Sequence, residues 1–264
     1  MKNNIVACFL AGIVIVAILV LHSMAILTLA LTILLIVAAI GFLTLFLLID
    51  YGKKNLASEK TAKMPLPGDD LLKDSDKVLQ FTKEIVIDAP PAKVWKYLAQ
   101  MGQDKAGFYS YELLEQIFTF KIHNTYEIVD RWQKIQPGDF LYYHQMGIGS
   151  QYIEVVEGKY FTSLSDSRKP PHTDGPAFAL NIFPGGQFAW TWSFVLQELS
   201  GNRTNLVQRC HNYFKPQNAL TKGFVLFFLG ISSLFMTTRQ MEIIKACAEG
   251  RVLADGSIQK PAAV

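Results

Sequence analysis

The chain has few cysteines and no clustered charge, and each shortage excludes a class of protein. Its three cysteines, Cys8, Cys210 and Cys247, lack the spacing of metal ligands. They predict a reducing compartment, with neither a disulfide framework nor a metal site. The formal net charge of +3 is spread without a basic run, so we expect no nucleic-acid partner. Neither a phosphate-binding glycine loop nor a nucleophile elbow occurs, so we expect no cofactor.

Charged residues are missing altogether from residues 5–49, which contain no Asp, Glu, Lys or Arg. A membrane-spanning helix needs about 20 apolar residues, so this run is long enough for two. The polar pair His22-Ser23 falls where a tight turn would divide it. The pattern predicts a transmembrane helical hairpin within residues 1–50, with helices at about 5–21 and 24–49. A cleaved signal peptide ending near Ser23 is the alternative.

The lysines on either side of this run predict its orientation. Lys2 precedes it, and Lys53, Lys54, Lys60 and Lys63 follow it. Because positive charge favours the cytoplasmic side, both ends of the hairpin are expected there. If the first helix were cleaved, the second would still leave the following domain inside. We therefore expect an integral inner or plasma membrane protein whose partner is the lipid bilayer and whose soluble domain faces the cytoplasm.

The rest of the chain has the charge balance of an ordinary globular domain. Residues 51–80 are polar and lack sustained periodicity, which predicts a linker. Strand patterns, two short helical patterns and a long C-terminal helical pattern then predict an α+β domain over residues 81–249, followed by a tail at 250–264. The predicted strands cover 81–88, 139–144, 151–157, 160–164, 187–198 and 204–214, and the predicted helices 92–100, 111–120 and part of 220–249.

Several motifs resemble the START-like helix-grip superfamily, the SRPBCC or polyketide-cyclase-like group. They lie at residues 82–98, 100–102, 107–115, 192–196 and 203–209, and the resemblance covers roughly 81–249. It implies a curved antiparallel sheet that grips a long C-terminal helix and encloses a cavity for an apolar ligand. The chain departs from the pattern at residues 223–236, which are apolar where an amphipathic helix is expected.

The last predicted hairpin places aromatic residues on one face. Residues 200–203 read Ser-Gly-Asn-Arg, which favours a two-residue type II′ turn with Ser200 opposite Arg203. Trp192 would then face His211 and Phe194 would face Arg209, with Trp190 on the same side because side chains alternate along a strand. Together with two tyrosines and a glutamate near the second short helix, the predicted cavity residues are Tyr109, Tyr111, Glu115, Trp190, Trp192, Phe194, Arg209 and His211.

These residues allow more than one function. Arg209 and His211 could orient a ligand in a mostly apolar pocket, or Arg209 could form a buried ion pair with a carboxylate such as Glu115. The main hypothesis is a membrane-anchored domain that binds a hydrophobic small molecule or lipid without chemistry. One alternative is a cyclase- or hydratase-like enzyme using cavity Arg, His and Tyr side chains. Another is a non-catalytic interaction or stress-response protein with a filled core.

Two segments each allow two structural interpretations. The loop at residues 165–186 has no evident structure of its own and reads either as a lid or as an insertion; His172 within it is a weak metal-ligand candidate. The apolar run at residues 223–236 is shorter than a membrane span. It is either the buried first half of the C-terminal helix or a surface that dips into the bilayer.

Overall fold

The computed structural model describes residues 2–73, 75, 78–117, 119–168, 187–215, 218–225, 230–252 and 257–259. Its contacts divide the chain into two compact units, residues 1–50 and 51–264. The metal-ligand candidate His172 and most of the 165–186 loop lie outside the described residues. Residues 226–229 of the third apolar run and parts of the C-terminal tail also lie outside them.

The N-terminal segment is a single helix, α1, over Lys2–Gly52. The predicted hairpin with a turn at His22-Ser23 is not shown: the helix continues through this pair, and hydroxyl groups of the run are satisfied within it. Ser23 Oγ donates to Leu19 O at 2.9 Å, and Thr28 Oγ1 donates to Met24 O at 2.8 Å. By length and composition, Gly12–Gly52 is able to cross a membrane, a property that signal sequences share.

The second unit is built on one antiparallel sheet of six strands. Its spatial order is β1-β6-β5-β4-β3-β2, so five consecutive strands form a meander and the first strand pairs with the last. The predicted α+β class is confirmed. The strands are β1 Leu79–Ile87, β2 Phe140–His144, β3 Ile148–Val156, β4 Tyr160–Asp166, β5 Gln187–Leu199 and β6 Arg203–Lys215.

In the part of the chain that the structure describes, five helices accompany the sheet, together with a 3-10 helix at Asp130–Trp132. Helix α3 begins at Pro91, where the missing N–H of proline leaves no helical hydrogen bond unmade. The predicted long C-terminal helix is present as α6. The helices are α2 Glu59–Lys63, α3 Pro91–Ala99, α4 Glu112–Ile117, α5 Ala219–Val225 and α6 Ser232–Ala248.

Helices α3 and α6 cover one face of the sheet, which we call the inner face. Trp95 of α3 packs against Phe161 of β4, and Lys83 of β1 donates through Nζ to Thr238 Oγ1 of α6 at 2.7 Å. The hydrophobic core lies between these helices and the sheet. Since the side chains of a strand alternate, every second residue of β1, β4, β5 and β6 points to the opposite, outer face.

Residues 58–72 cross the outer face, and we call this segment the strap. Pro67 O accepts hydrogen bonds from Ser193 Oγ at 2.9 Å and from Thr162 Oγ1 at 3.2 Å. Leu66 and Leu72 of the strap are buried. The stretch predicted as a linker therefore contains a segment that packs on the domain and shields its outer face from solvent.

Candidate functional site

The β5–β6 hairpin has a three-residue loop where the sequence predicted a two-residue one. Leu199 pairs with Arg203, so the loop is formed by residues 200–202. Gly201 and Asn202 both have positive φ angles, 77° and 58°, and a loop of three residues with left-handed positions is a common hairpin connection. The predicted register was therefore wrong by one residue. Such a slip moves every side chain of the second strand to the other face.

The corrected register separates residues that the sequence had placed together. Thr191 pairs with His211 and Ser193 pairs with Arg209, so both basic side chains share the outer face with small hydroxyl residues. Trp192 pairs instead with Cys210 on the inner face. The predicted cavity constellation of tryptophans with Arg209 and His211 is not formed.

Arg209 is held by the strap and is only 2% exposed. Its guanidinium donates to Asp69 Oδ2 at 2.7 Å and to Thr82 Oγ1 at 3.0 Å. The expectation of a buried ion pair is met, but its partner is Asp69 and not Glu115. The three remaining acceptors are backbone carbonyls of Thr61, Ala62 and Met64, at 2.8, 3.0 and 2.8 Å.

His211 lies beside Arg209 under the same segment. Its Nε2 is 3.1 Å from Gln80 Oε1, and its Nδ1 is 3.2 Å from Thr191 Oγ1. Burial lowers the pKa of His211, and the nearby Arg209 acts in the same direction while Asp69 opposes it. Both ring nitrogens therefore have partners within the outer face, and the imidazole holds neighbouring strands together there.

The inner face carries a continuous run of aromatic rings. Trp192 lies 5.9 Å from Phe108 and 5.1 Å from Phe194, measured between ring centroids. Phe194 is 5.1 Å from Phe161, which in turn is 5.1 Å from Tyr152. The sequence predicted Trp192 and Phe194 here. It missed Phe108, Phe161 and Tyr152, because parity along a single strand says nothing about which rings other elements contribute.

The aromatic run continues to one end of the inner face, in a group that we call the mouth cluster. It consists of Tyr143, Phe188, Trp190 and Trp192, all partly exposed. Trp190 Nε1 donates to the Tyr143 hydroxyl at 3.3 Å, and that hydroxyl is also hydrogen-bonded to Ser150 Oγ. The burial of Tyr143 raises its pKa to about 12, so its hydroxyl stays neutral.

The mouth cluster lies at the end of the sheet where helix α6 begins. Along β1, Lys83 contacts Thr238 and Asp88 N donates to Glu249 Oε1, so β1 and α6 run in the same direction. Strand β6 is antiparallel to β1, and β5 is antiparallel to β6. The first residues of β5, which carry Phe188 and Trp190, therefore lie near the start of α6.

Several buried polar atoms beside these rings have no hydrogen-bond partner among the described residues. They comprise two indole nitrogens, one phenol oxygen and two amide oxygens. Gln240, for example, donates through Nε2 to Phe108 O at 3.0 Å, while its Oε1 accepts nothing. A buried polar group without a partner costs about 1–3 kcal/mol. The atoms are Trp95 Nε1, Trp192 Nε1, Tyr152 OH, Gln208 Oε1 and Gln240 Oε1.

Tyr109 and Tyr111 occupy different environments. Tyr109 is fully buried in a left-handed conformation with φ of 58°, and its hydroxyl accepts a hydrogen bond from Gln100 Nε2 at 2.8 Å. Burial raises its pKa strongly, so it acts as a neutral packing residue. Tyr111 lies nearer the start of α6, with its ring 5.8 Å from that of Phe235.

Glu115 of α4 is 6% exposed, and its Oε2 lacks a partner among the described residues. Burial, reinforced by the nearby Glu112 charge, raises the pKa of Glu115 to about 7. This carboxyl is therefore partly protonated near neutral pH. Over the same described residues, no group of three or more His, Cys, Asp or Glu side chains is arranged to hold a metal ion.

Several solved structures are similar to this chain. A conserved protein of unknown function from Enterococcus faecalis is 17% identical over 70% of this chain and 80% of its own, with a TM-score of 0.34. A protein from Mesorhizobium loti is 14% identical over 67% of this chain and 100% of its own, with a TM-score of 0.35. Ara h 8.0201 is 15% identical over 63% of this chain and 97% of its own, with a TM-score of 0.34.

No family model matches the chain. No curated protein matches it either. The resemblance to the helix-grip superfamily therefore stays a prediction from the sequence motifs.

Proposed function

We propose that this chain is a membrane-anchored helix-grip domain that faces the cytoplasm and binds a hydrophobic small molecule or lipid between its sheet and helix α6. The observation that carries the proposal is the set of unpartnered buried polar atoms beside the inner-face aromatic rings. Ligand sites are mostly apolar and contain a few polar groups that fix the ligand's orientation. The inner face has this composition.

The aromatic residues and the unpartnered polar residues would bind different parts of the ligand. The mouth cluster offers partly exposed rings, which gain free energy when an apolar chain covers them, at about 25 cal/mol per Å² of apolar surface. Among the same rings, the buried Trp192 Nε1 is a donor, and the buried Gln240 Oε1 is an acceptor. A ligand with an oxygen-containing group would satisfy these atoms in place of water.

The single helix α1 supports a membrane location with a changed topology. Lys53, Lys54, Lys60 and Lys63 still favour the cytoplasm for the domain that follows. With one span in place of two, Lys2 lies on the opposite side of the membrane. The start of α6 belongs to the same end of the domain as Gly52, since a Cβ on Gly52 would meet Leu234 at 2.6 Å.

The enzyme alternative required Arg209 and His211 to reach one point in the cavity, but both lie on the outer face and are bonded there. We therefore do not propose catalysis.

Tryptophan fluorescence of the purified full-length chain in detergent tests the proposal. Titration with dodecanol, dodecanoic acid and a phospholipid should change the emission of the wild type, and W192F should lose most of that change because the Trp192 indole lines the inner face. The matched control is W132F, which removes a partly buried indole in the 3-10 helix. If no compound alters the emission, and native mass spectrometry finds no co-purified small molecule, the domain does not bind such ligands.

A further inference from the structure

Arg239 of helix α6 directly precedes Gln240, whose side chain lies in the proposed binding site. Its guanidinium carbon is 5.8 Å from the centroid of the Tyr111 ring, and its charge also acts on the Tyr126 hydroxyl. The next residue, Gln240, reaches Phe108 O and the inner-face rings. Arg239 is thus partly buried between the aromatic interior and the surface.

No ion pair or side-chain acceptor is found for Arg239 among the described residues, although carboxylates lie nearby. Glu242, in the next turn of α6, accepts a hydrogen bond from the Tyr51 hydroxyl at 2.6 Å. Glu112 accepts from the Asn124 backbone N–H at 2.9 Å and lies 2.9 Å from His123 Nδ1. The neighbouring acids therefore each have another partner, and the guanidinium lies over the Tyr111 ring.

A partly buried guanidinium normally pairs with an anion, because removing its charge from water is costly without one. Its planar donor array matches carboxylate and phosphate groups, which it binds through two parallel hydrogen bonds. The Arg239 guanidinium already lies over the Tyr111 ring, which packs in turn on Phe235.

We infer that Arg239 binds the anionic head group, a carboxylate or a phosphate, of an elongated amphiphile whose apolar part lies along the inner-face rings. This inference rests on the proposed function and adds the chemical class of the ligand. The ligand's remaining polar atoms would be available to Gln240 Oε1 and Trp192 Nε1, which are buried and have no partner among the described residues.

The test uses the full-length chain in phosphatidylcholine nanodiscs, titrated separately with dodecanoic acid, dodecyl phosphate, dodecanol and inorganic phosphate. Substituting Arg239→Gln should weaken binding of the acid and of dodecyl phosphate by about 10- to 100-fold, which is the usual effect of losing a charged hydrogen-bonding partner. Dodecanol binding should change by less than about twofold. Arg239→Lys should restore part of the affinity, since it keeps the charge but loses the planar donor array.

The matched control is Arg131→Gln, because Arg131 also places its guanidinium over an aromatic ring, 5.0 Å from the centroid of Trp132, but on the 3-10 helix. This control should leave all four titrations unchanged. An equal loss for dodecanol and dodecanoic acid in R239Q would overturn the inference and leave the proposed function standing. Inorganic phosphate binding as tight as dodecyl phosphate binding would also overturn it, since the site would then recognise a free anion. Failure of every amphiphile to bind the wild type would instead refute the proposed function.

Discussion

At the scale of single residues, the sequence correctly singled out Arg209 as important but placed it on the wrong face of the sheet. The sequence marks it as a charge within an aromatic hairpin, and such a charge must be paired. The structure pairs it with Asp69 and with three carbonyls of the strap, on the face away from the tryptophans. Its role is therefore to fix the strap to the sheet.

Replacing Arg209 with Met should destabilise the domain by about 3–5 kcal/mol, because the Asp69 carboxylate would lose its buried cationic partner and the three carbonyls would lose their guanidinium donors. Urea unfolding of the full-length chain, followed by circular dichroism, measures the difference. Arg203→Met is the matched control, since Arg203 is exposed and its Nε donates only to Ser200 O. It should change stability by less than about 0.5 kcal/mol. Equal effects of the two substitutions would contradict the role given to Arg209.

At the scale of elements, the strap depends on a close approach of its backbone to the sheet. Gly68 has a φ of +89°, and a Cβ placed on it would lie 2.4 Å from Thr162 Cγ2 and 2.9 Å from Ser193 Oγ. Only glycine allows Pro67 O to reach both hydroxyl groups at this distance. The sequence has a Pro-Leu-Pro-Gly stretch at residues 65–68. Because proline and glycine are typical of turns, the stretch was predicted as part of a linker and not as a packed segment.

Gly68→Ala should therefore lift the strap from β4 and β5. We expect faster hydrogen exchange at residues 61–69 and earlier protease cleavage there, with a loss of stability larger than backbone strain alone would cause. Gly138→Ala separates the two causes, because Gly138 has a similar φ of +98° but nothing within 4 Å of the added Cβ. The strap would not be held by this contact if both alanine variants behaved alike.

The β5–β6 hairpin shows why a local pattern can fail at this scale. Both a two-residue and a three-residue loop are compatible with Ser200-Gly201-Asn202-Arg203, since glycine and asparagine both adopt positive φ readily. Pairing with β1 and β4, together with burial of the inner-face rings, selects the register. Those partners are distant in sequence, so the register could not be predicted from the hairpin sequence alone.

At the scale of the whole molecule, the apolar N-terminal segment and its flanking lysines predict where the domain lies. Under the proposed topology, a single span would place residue 2 outside the cytoplasm and residue 201 inside it. We expect the full-length chain to remain in the membrane after alkaline carbonate extraction, because about 40 apolar residues of α1 exceed the length of a bilayer span.

Cysteines added one at a time to a Cys8→Ser background test this topology in intact cells with an impermeant maleimide. Lys2→Cys should be labelled from outside, and Gly201→Cys only after lysis. The parent Cys8→Ser chain is the control for reaction at Cys210 and at the buried Cys247. If neither position is labelled before lysis, the result favours the hairpin topology. If carbonate releases the chain, α1 is not a membrane anchor.

Composition and periodicity alone predicted the uncharged segment, the α+β class, the order of strands and helices, and the aromatic character of β5, because these depend on neighbours in sequence. They also selected Glu115, Trp192 and Arg209 as unusual residues. Only the tertiary structure decided the continuity of α1, the register of the last hairpin, the packing of the strap and the position of Arg239 beside Tyr111. Each of these features depends on hydrogen bonds, charge pairing or close contact between residues. The role of a polar residue is therefore set by the partners that folding brings to it: it can end a helix, face a cavity or hold a strap.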